Sequence, residues 1–158
     1  TFFNVLGPMV NPAKPRKQLV GVYSLELARL YAYLYQQSDK RFTILHALDG
    51  YDEISLTGAF KIISNQTEQV LEPESLGMTI LSSDSLVGGK TLDESAQIFL
   101  NVLNNEGTPA QTQAVLANSA IALLTAGKVN TRDDAVLMAR ESLESGRAKA
   151  CFEKLING

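Results

Sequence analysis

Gln18-Leu19-Val20-Gly21-Val22-Tyr23-Ser24 opens the segment that decides the fold, and Phe42-Thr43-Ile44-Leu45-His46 closes it. Each contains a short apolar, partly β-branched run, the pattern of a strand buried on both faces, which predicts strands over Gln18–Tyr23 and Phe42–His46. Between them, Ser24 is a helix-capping residue. Leu27, Leu30, Tyr31 and Leu34 recur at helical spacing, which predicts a helix over about 25–37 with those four on its buried face. Strand, helix, strand is the βαβ unit, so the two strands should be parallel.

Outward from this unit the chain is punctuated. Three of the five prolines, Pro8, Pro12 and Pro15, fall before the first strand. They predict a shaped loop after at most a short helical turn at Phe2–Leu6. Downstream, Phe60–Ile63 and Gln69–Leu71 read as a strand pair joined through Asn65-Gln66-Thr67. The remainder reads as helical. Thr91 with Glu94 has capping-box spacing, and Thr108-Pro109 opens a helix that Gly127 stops. Thr131 with Asp134 opens the next, ending near Ser145-Gly146, and a last helix over about 147–156 carries Cys151, Phe152 and Leu155. The expected fold class is α/β, a small sheet flanked by helices, in one domain over 1–158.

Bulk composition narrows the function. Of 158 residues 45% are hydrophobic and 20% charged, with a formal charge of −3, an ordinary globular balance. The strongest basic cluster is Lys14-Pro15-Arg16-Lys17, too little to coat nucleic-acid phosphates, so no nucleic-acid partner is expected. No apolar stretch is long enough to span a bilayer, and no membrane partner is expected. Cys151 is the only cysteine, which precludes an intrachain disulfide and fits a cytoplasmic protein. On its amphipathic helix it reads as a small buried hydrophobe. The chain opens on Thr1-Phe2-Phe3, core-like sequence that predicts further residues upstream.

Asp49-Gly50-Tyr51-Asp52-Glu53 is the foremost candidate for chemistry. Adjacent strand residues point to opposite faces, so Asp52 and Glu53 converge only if the backbone turns, and Gly50 permits that turn. Two carboxylates at a strand end suit Mg2+, a hard cation that completes its shell with water and substrate phosphates. The plainer alternative is a solvated acidic turn. Gly7-Pro8 with Asn11-Pro12 is the second candidate, because glycine admits close backbone approach and proline stiffens it; the alternative is an ordinary loop. Gly88-Gly89-Lys90-Thr91 ends like a phosphate loop, but that pattern needs glycine where Asp84 stands, so it reads as a turn and a helix cap. His46, the only histidine, reads as a hydrogen-bonding residue at a strand end, with proton transfer as the alternative.

Two of these segments carry a resemblance. Thr1-Phe2-Phe3-Asn4-Val5-Leu6-Gly7-Pro8-Met9-Val10-Asn11-Pro12 resembles the T-x-F-N-x-L-G-P-x-x-N-P stretch of the anthranilate phosphoribosyltransferases. His46 through Ser55 resembles their H-G-x-x-G-L-D-E-I-S segment, with Tyr51 in place of leucine and Ala47-Leu48 in place of a more polar pair. Gly88-Gly89, Asn118-Ser119-Ala120 and Ser145-Gly146-Arg147-Ala148 fall where that family has similar words. The likeness covers the whole chain and implies the C-terminal part of such an enzyme, from a nucleoside phosphorylase/phosphoribosyltransferase-type α/β domain.

The resemblance implies transfer of the phosphoribosyl group of phosphoribosyl pyrophosphate to anthranilate, a step of tryptophan biosynthesis. Asp52 and Glu53 would hold Mg2+ at the pyrophosphate, and Gly7 and Pro8 would line the anthranilate channel. No catalytic acid or base is implied. The family's glycine-rich phosphate loop, its Lys-His-Gly-Asn segment, its anthranilate-binding arginine and the helical domain that builds its homodimer would all lie upstream of Thr1. The chain alone is therefore expected to show no turnover. Rival expectations are part of a pyrimidine nucleoside phosphorylase, which shares the fold, and a non-catalytic lobe that self-associates through residues such as Phe2 and Phe3.

Overall fold

The computed structural model describes residues 5–158. The βαβ unit is present: β1 (Lys17–Gly21), α1 (Leu25–Gln36) and β2 (Arg41–Ala47), with β1 and β2 parallel. β3 (Phe60–Ser64) and β4 (Glu68–Leu71) continue the sheet antiparallel, in the order β1-β2-β3-β4. Two 3-10 turns, Pro73–Leu76 and Ser83–Leu86, lead to α2 (Leu92–Leu103), α3 (Pro109–Ala126), α4 (Arg132–Glu144) and α5 (Arg147–Asn157).

β2 is central, and every residue of it after Arg41 is buried. Its alternation feeds two cores. Phe42 and Ile44 face α1 with Tyr31, Tyr35 and Ile63, while Leu45 and Ala47 face α3 with Leu116, Ala117 and Ile121. Full burial of a side chain such as Phe42 or Ile44 stabilises by about 1.5–3 kcal/mol, which makes this strand the anchor of the lobe. A buried bond from Thr125 to Thr43, 2.7 Å between hydroxyls, ties α3 to the same face.

The caps follow the sequence. Ser24, Thr91, Thr108 and Thr131 each accept a backbone N–H in the first turn of the helix they open, and Gln111 completes a capping box with Thr108. Gly127 ends α3 in the left-handed conformation at φ 64°. Arg41 Nη2 donates to the Leu124 carbonyl at 2.7 Å and Lys17 Nζ to that of Ala126 at 2.5 Å, so two cations from the sheet meet the negative end of this helix.

Three expectations need correction. The buried face of α1 is Ala28, Tyr31, Ala32 and Tyr35; Leu30 and Leu34 are exposed and Leu27 is half-buried. The alanines let the helix lie close to the sheet, and the tyrosine hydroxyls find carbonyl partners at Val5 and Pro8. β1 stops at Gly21: Val22 is buried, but Tyr23 is already turned outward. Cys151 is exposed, because α5 buries none of its residues fully; Ala148 packs against the core below α3 and Phe152 meets Phe99 edge-on, but Cys151 lies off that side. Of the helical turn expected at Phe2–Leu6, Val5 and Leu6 are helical and the rest lies outside the described residues, as do Phe2 and Phe3.

Candidate active site

The acidic segment leaves β2 at Ala47 and turns back at once. Gly50 N–H donates to the Ala47 carbonyl and Ala47 N–H to that of Tyr51, both at 3.0 Å, with Gly50 at φ 105°, a conformation open to glycine. The Asp52 peptide then crosses Gly21, the last residue of β1. A β-carbon on Gly21 would lie 2.8 Å from the Asp52 carbonyl carbon, with the carbonyl oxygen closer still. The pair therefore rides over the carboxyl end of a parallel strand, the edge where ligands bind in open α/β sheets.

The carboxyl groups of Asp52 and Glu53 come together. A hydrogen bond to Asp52, followed by burial and by repulsion from the same group, pushes Glu53 up to about 7. Two carboxyls that can share a proton can instead share a hard cation, so the donor set fits Mg2+. It fits only as a partial shell: among the described residues no group of three acidic, histidine or cysteine side chains could hold a metal. Water and phosphate oxygens would have to complete it.

Asp49 turns the other way. Its carboxylate accepts from the Thr57 hydroxyl and, at 3.4–3.5 Å, from that of Ser55, stapling the base of the loop. Asn118 on α3 grips the exit. Its Oδ1 accepts from Ile54 N–H and its Nδ2 donates to the Ile54 carbonyl, both at 2.9 Å. Sequence reasoning noticed Asn118 only as part of a family word and did not foresee Gly21 or Asp49 as supports. A polar residue inside the alanine-rich run of α3 was the available signal for Asn118.

A cavity of about 810 Å3 opens beside the loop. Tyr51, Glu53 and Ser55 form one wall; Phe99 of α2, Val115 and Asn118 of α3, and the turn around Leu86 form others. Glu53 reaches this cavity; Asp52, Gly7 and Pro8 do not line it. The Pro8 carbonyl is held at the start of β1, by Gln18 Nε2 at 2.5 Å and the Tyr35 hydroxyl at 3.3 Å. Asp52 crosses the other end. The rise from Gln18 to Gly21 is about 10 Å at roughly 3.3 Å per residue. The structure thus unites the two carboxyls and sets the Gly7-Pro8 segment apart from them along the strand.

His46 is buried, its Nδ1 2.8 Å from the Val22 carbonyl. The carbonyl can only accept, so Nδ1 carries hydrogen, and the side chain ties the end of β2 to the chain leaving β1. Gly88-Gly89 forms no phosphate loop: Gly89 packs against the backbone of Glu94 and Ser95 at the start of α2.

The family model described as glycosyl transferase family, a/b domain, matches residues 1–149. The chain belongs to this family. Within it, the anthranilate phosphoribosyltransferase of Cytophaga hutchinsonii is 51% identical over 99% of this chain and 48% of its own length. That of Flavobacterium johnsoniae is 53% identical over 98% and 47%. Among solved structures, the anthranilate phosphoribosyltransferase of Thermus thermophilus superposes with a TM-score of 0.88 at 30% identity, covering 98% of this chain and 46% of that one. The Saccharomyces cerevisiae enzyme in complex with PRPP and Mg gives 0.88 at 27% identity, covering 99% and 45%. This glycosyl transferase family chain spans about half the length of the curated relatives it matches. The α/β class expected from the sequence is the class observed. No described helix is long and apolar enough to cross a membrane.

Proposed function

We propose that this chain is the C-terminal half of a cytoplasmic anthranilate phosphoribosyltransferase, and that its Asp52–Glu53 pair binds the Mg2+ that accompanies phosphoribosyl pyrophosphate. The observation that carries the reading is the convergence of two carboxyls over the end of β1, next to a cavity that Glu53 enters. A bound Mg2+ would neutralise charge growing on the departing pyrophosphate. The residues themselves supply fixed negative charge at a rigid position: Gly50 makes the turn, Gly21 lets the Asp52 peptide lie flat on the strand, and Asp49 is tied away from the pair. In the transfer, the anthranilate nitrogen bonds to the anomeric carbon as the bond to the pyrophosphate oxygen breaks, and the amine proton leaves to solvent. Electrostatic stabilisation dominates such a step.

Gly7 and Pro8 line the acceptor channel in this reading. Their offset of about 10 Å along β1 leaves the ribose between the amine and the metal end. The helical domain, the phosphate loop and the homodimer contacts belong to the other half of the enzyme.

Substituting residues 1–158 for the matching half of the Cytophaga hutchinsonii relative tests this. The chimera is expected to form phosphoribosylanthranilate, followed by loss of anthranilate fluorescence, and the 158-residue chain alone to form none. A chimera that folds but cleaves thymidine with phosphate, and leaves anthranilate untouched, would replace this reading with the nucleoside phosphorylase one. Product formed by the isolated chain would overturn the division of the site between two halves.

A further inference from the structure

Asparagine is a poor residue for the middle of a helix compared with alanine. Asn118 nevertheless sits between the fully buried Ala117 and Ala120 on α3. Its amide makes three bonds of 2.9 Å: Oδ1 accepts from Ile54 N–H, and Nδ2 donates to the Ile54 carbonyl and to the Ala114 carbonyl one turn back. Ile54 lies outside the sheet, so its peptide groups have no strand partner, and the side-chain amide supplies both the donor and the acceptor that a neighbouring strand would have supplied. The bond to Ala114 fixes the rotamer, which leaves the amide nowhere else to turn. Ile54 is fully buried, and the residue before it is Glu53.

We propose that Asn118 is a positioning residue for the acidic pair, and that divalent-cation affinity depends on its two-point grip of Ile54. The metal part of this rests on the reading given under Proposed function. The loop is then pinned at two points, Gly21 beneath Asp52 and Asn118 beyond Glu53, with the carboxyls suspended between them. No other side chain of this size offers one acceptor and one donor in a plane. Aspartate keeps the acceptor but loses the donor and sets a negative oxygen against the Ile54 carbonyl. Alanine loses both.

The test uses the 158-residue chain, with Asn118→Ala and Asn118→Asp, and Mn2+ as the probe ion. Amide hydrogen exchange and Mn2+ titration are read on the same samples. Both variants are expected to speed exchange at Ile54 at least tenfold while the amides of Ile44 and Leu45 in β2 keep their protection, and to weaken Mn2+ binding at least tenfold. Unchanged Ile54 exchange in Asn118→Ala would overturn the grip. Equal loss of protection at Ile54 and throughout β2 would also overturn it, by showing a role in general stability only. Asn118→Asp behaving as the unaltered chain would show that the donor arm is unnecessary and defeat the two-point claim. If Ile54 exchange responds and the unaltered chain binds no Mn2+, the grip stands as a structural feature, the positioning claim falls, and the failure lies with the metal reading.

Discussion

Replacing Gly21 by alanine puts a methyl group where the Asp52 peptide now lies. The added carbon would sit 2.8 Å from the Asp52 carbonyl carbon, while ordinary contact begins near 3.4 Å. That carbon must retreat by about 0.6 Å and its oxygen by more than an ångström. Neither side yields easily: Gly21 is paired with Leu45 in the parallel ladder, and the loop is held beyond Glu53 by Asn118. Overpacking of this kind costs about 1–3 kcal/mol. With a urea dependence of roughly 2 kcal/mol per molar, the unfolding midpoint should fall by about 0.5–1.5 M. The displaced loop should also bind Mn2+ at least about tenfold more weakly, because a hard cation tolerates little misplacement of its oxygens. Gly58→Ala is the control, since nothing lies within 4 Å of an added carbon there, and it should stay within about 0.5 kcal/mol of the parent. Equal midpoints and equal Mn2+ affinities for Gly21→Ala and Gly58→Ala would refute the packing of the loop on β1.

Further outcomes follow from single contacts. Glu53 binds its proton more tightly folded than unfolded, so its contribution to stability is complete below the ordinary carboxylate value of 4.5 and is lost as pH rises through about 7. Because the loop is largely exposed, the effect should be at most about 1 kcal/mol after solvent screening, and Glu53→Gln should remove it from the pH dependence of the urea midpoint. In the same window, protons should compete with Mg2+, so metal affinity should rise with pH until Glu53 is ionised. Thr108→Ala removes the side-chain half of the capping box on α3 and should cost about 1 kcal/mol by chemical unfolding, with no change in metal binding.

Local signals made much of the fold legible. The two apolar runs bracketing a capped helix gave β1, α1 and β2, and Ser24, Thr91, Thr108 and Thr131 marked their helices because a cap acts within one turn. The buried face of α1 was misread because two stripes share Tyr31. Size favours the leucines, but close approach to the sheet favours Ala28 and Ala32, and only the partners of the tyrosine hydroxyls decide between them. Cys151 was misread for a related reason: periodicity shows that a helix has an apolar face, not that anything covers it. At the site, the turn at Gly50 and the acidic pair could be located from their own segment. The supports could not. Gly21 and Asn118 meet Asp52 and Ile54 across long stretches of chain, and no local pattern encodes such contacts.

The central claim is that Asp52 and Glu53 form one cation site at the end of β1. Paramagnetic broadening by Mn2+ in a nitrogen-labelled sample of the chain tests it most directly. Broadening should be centred on Asp52, Glu53 and Ile54, spread to Gly21, and vanish in Asp52→Asn and Glu53→Gln. Broadening centred on other carboxylates, or an unchanged pattern in both variants, would contradict it.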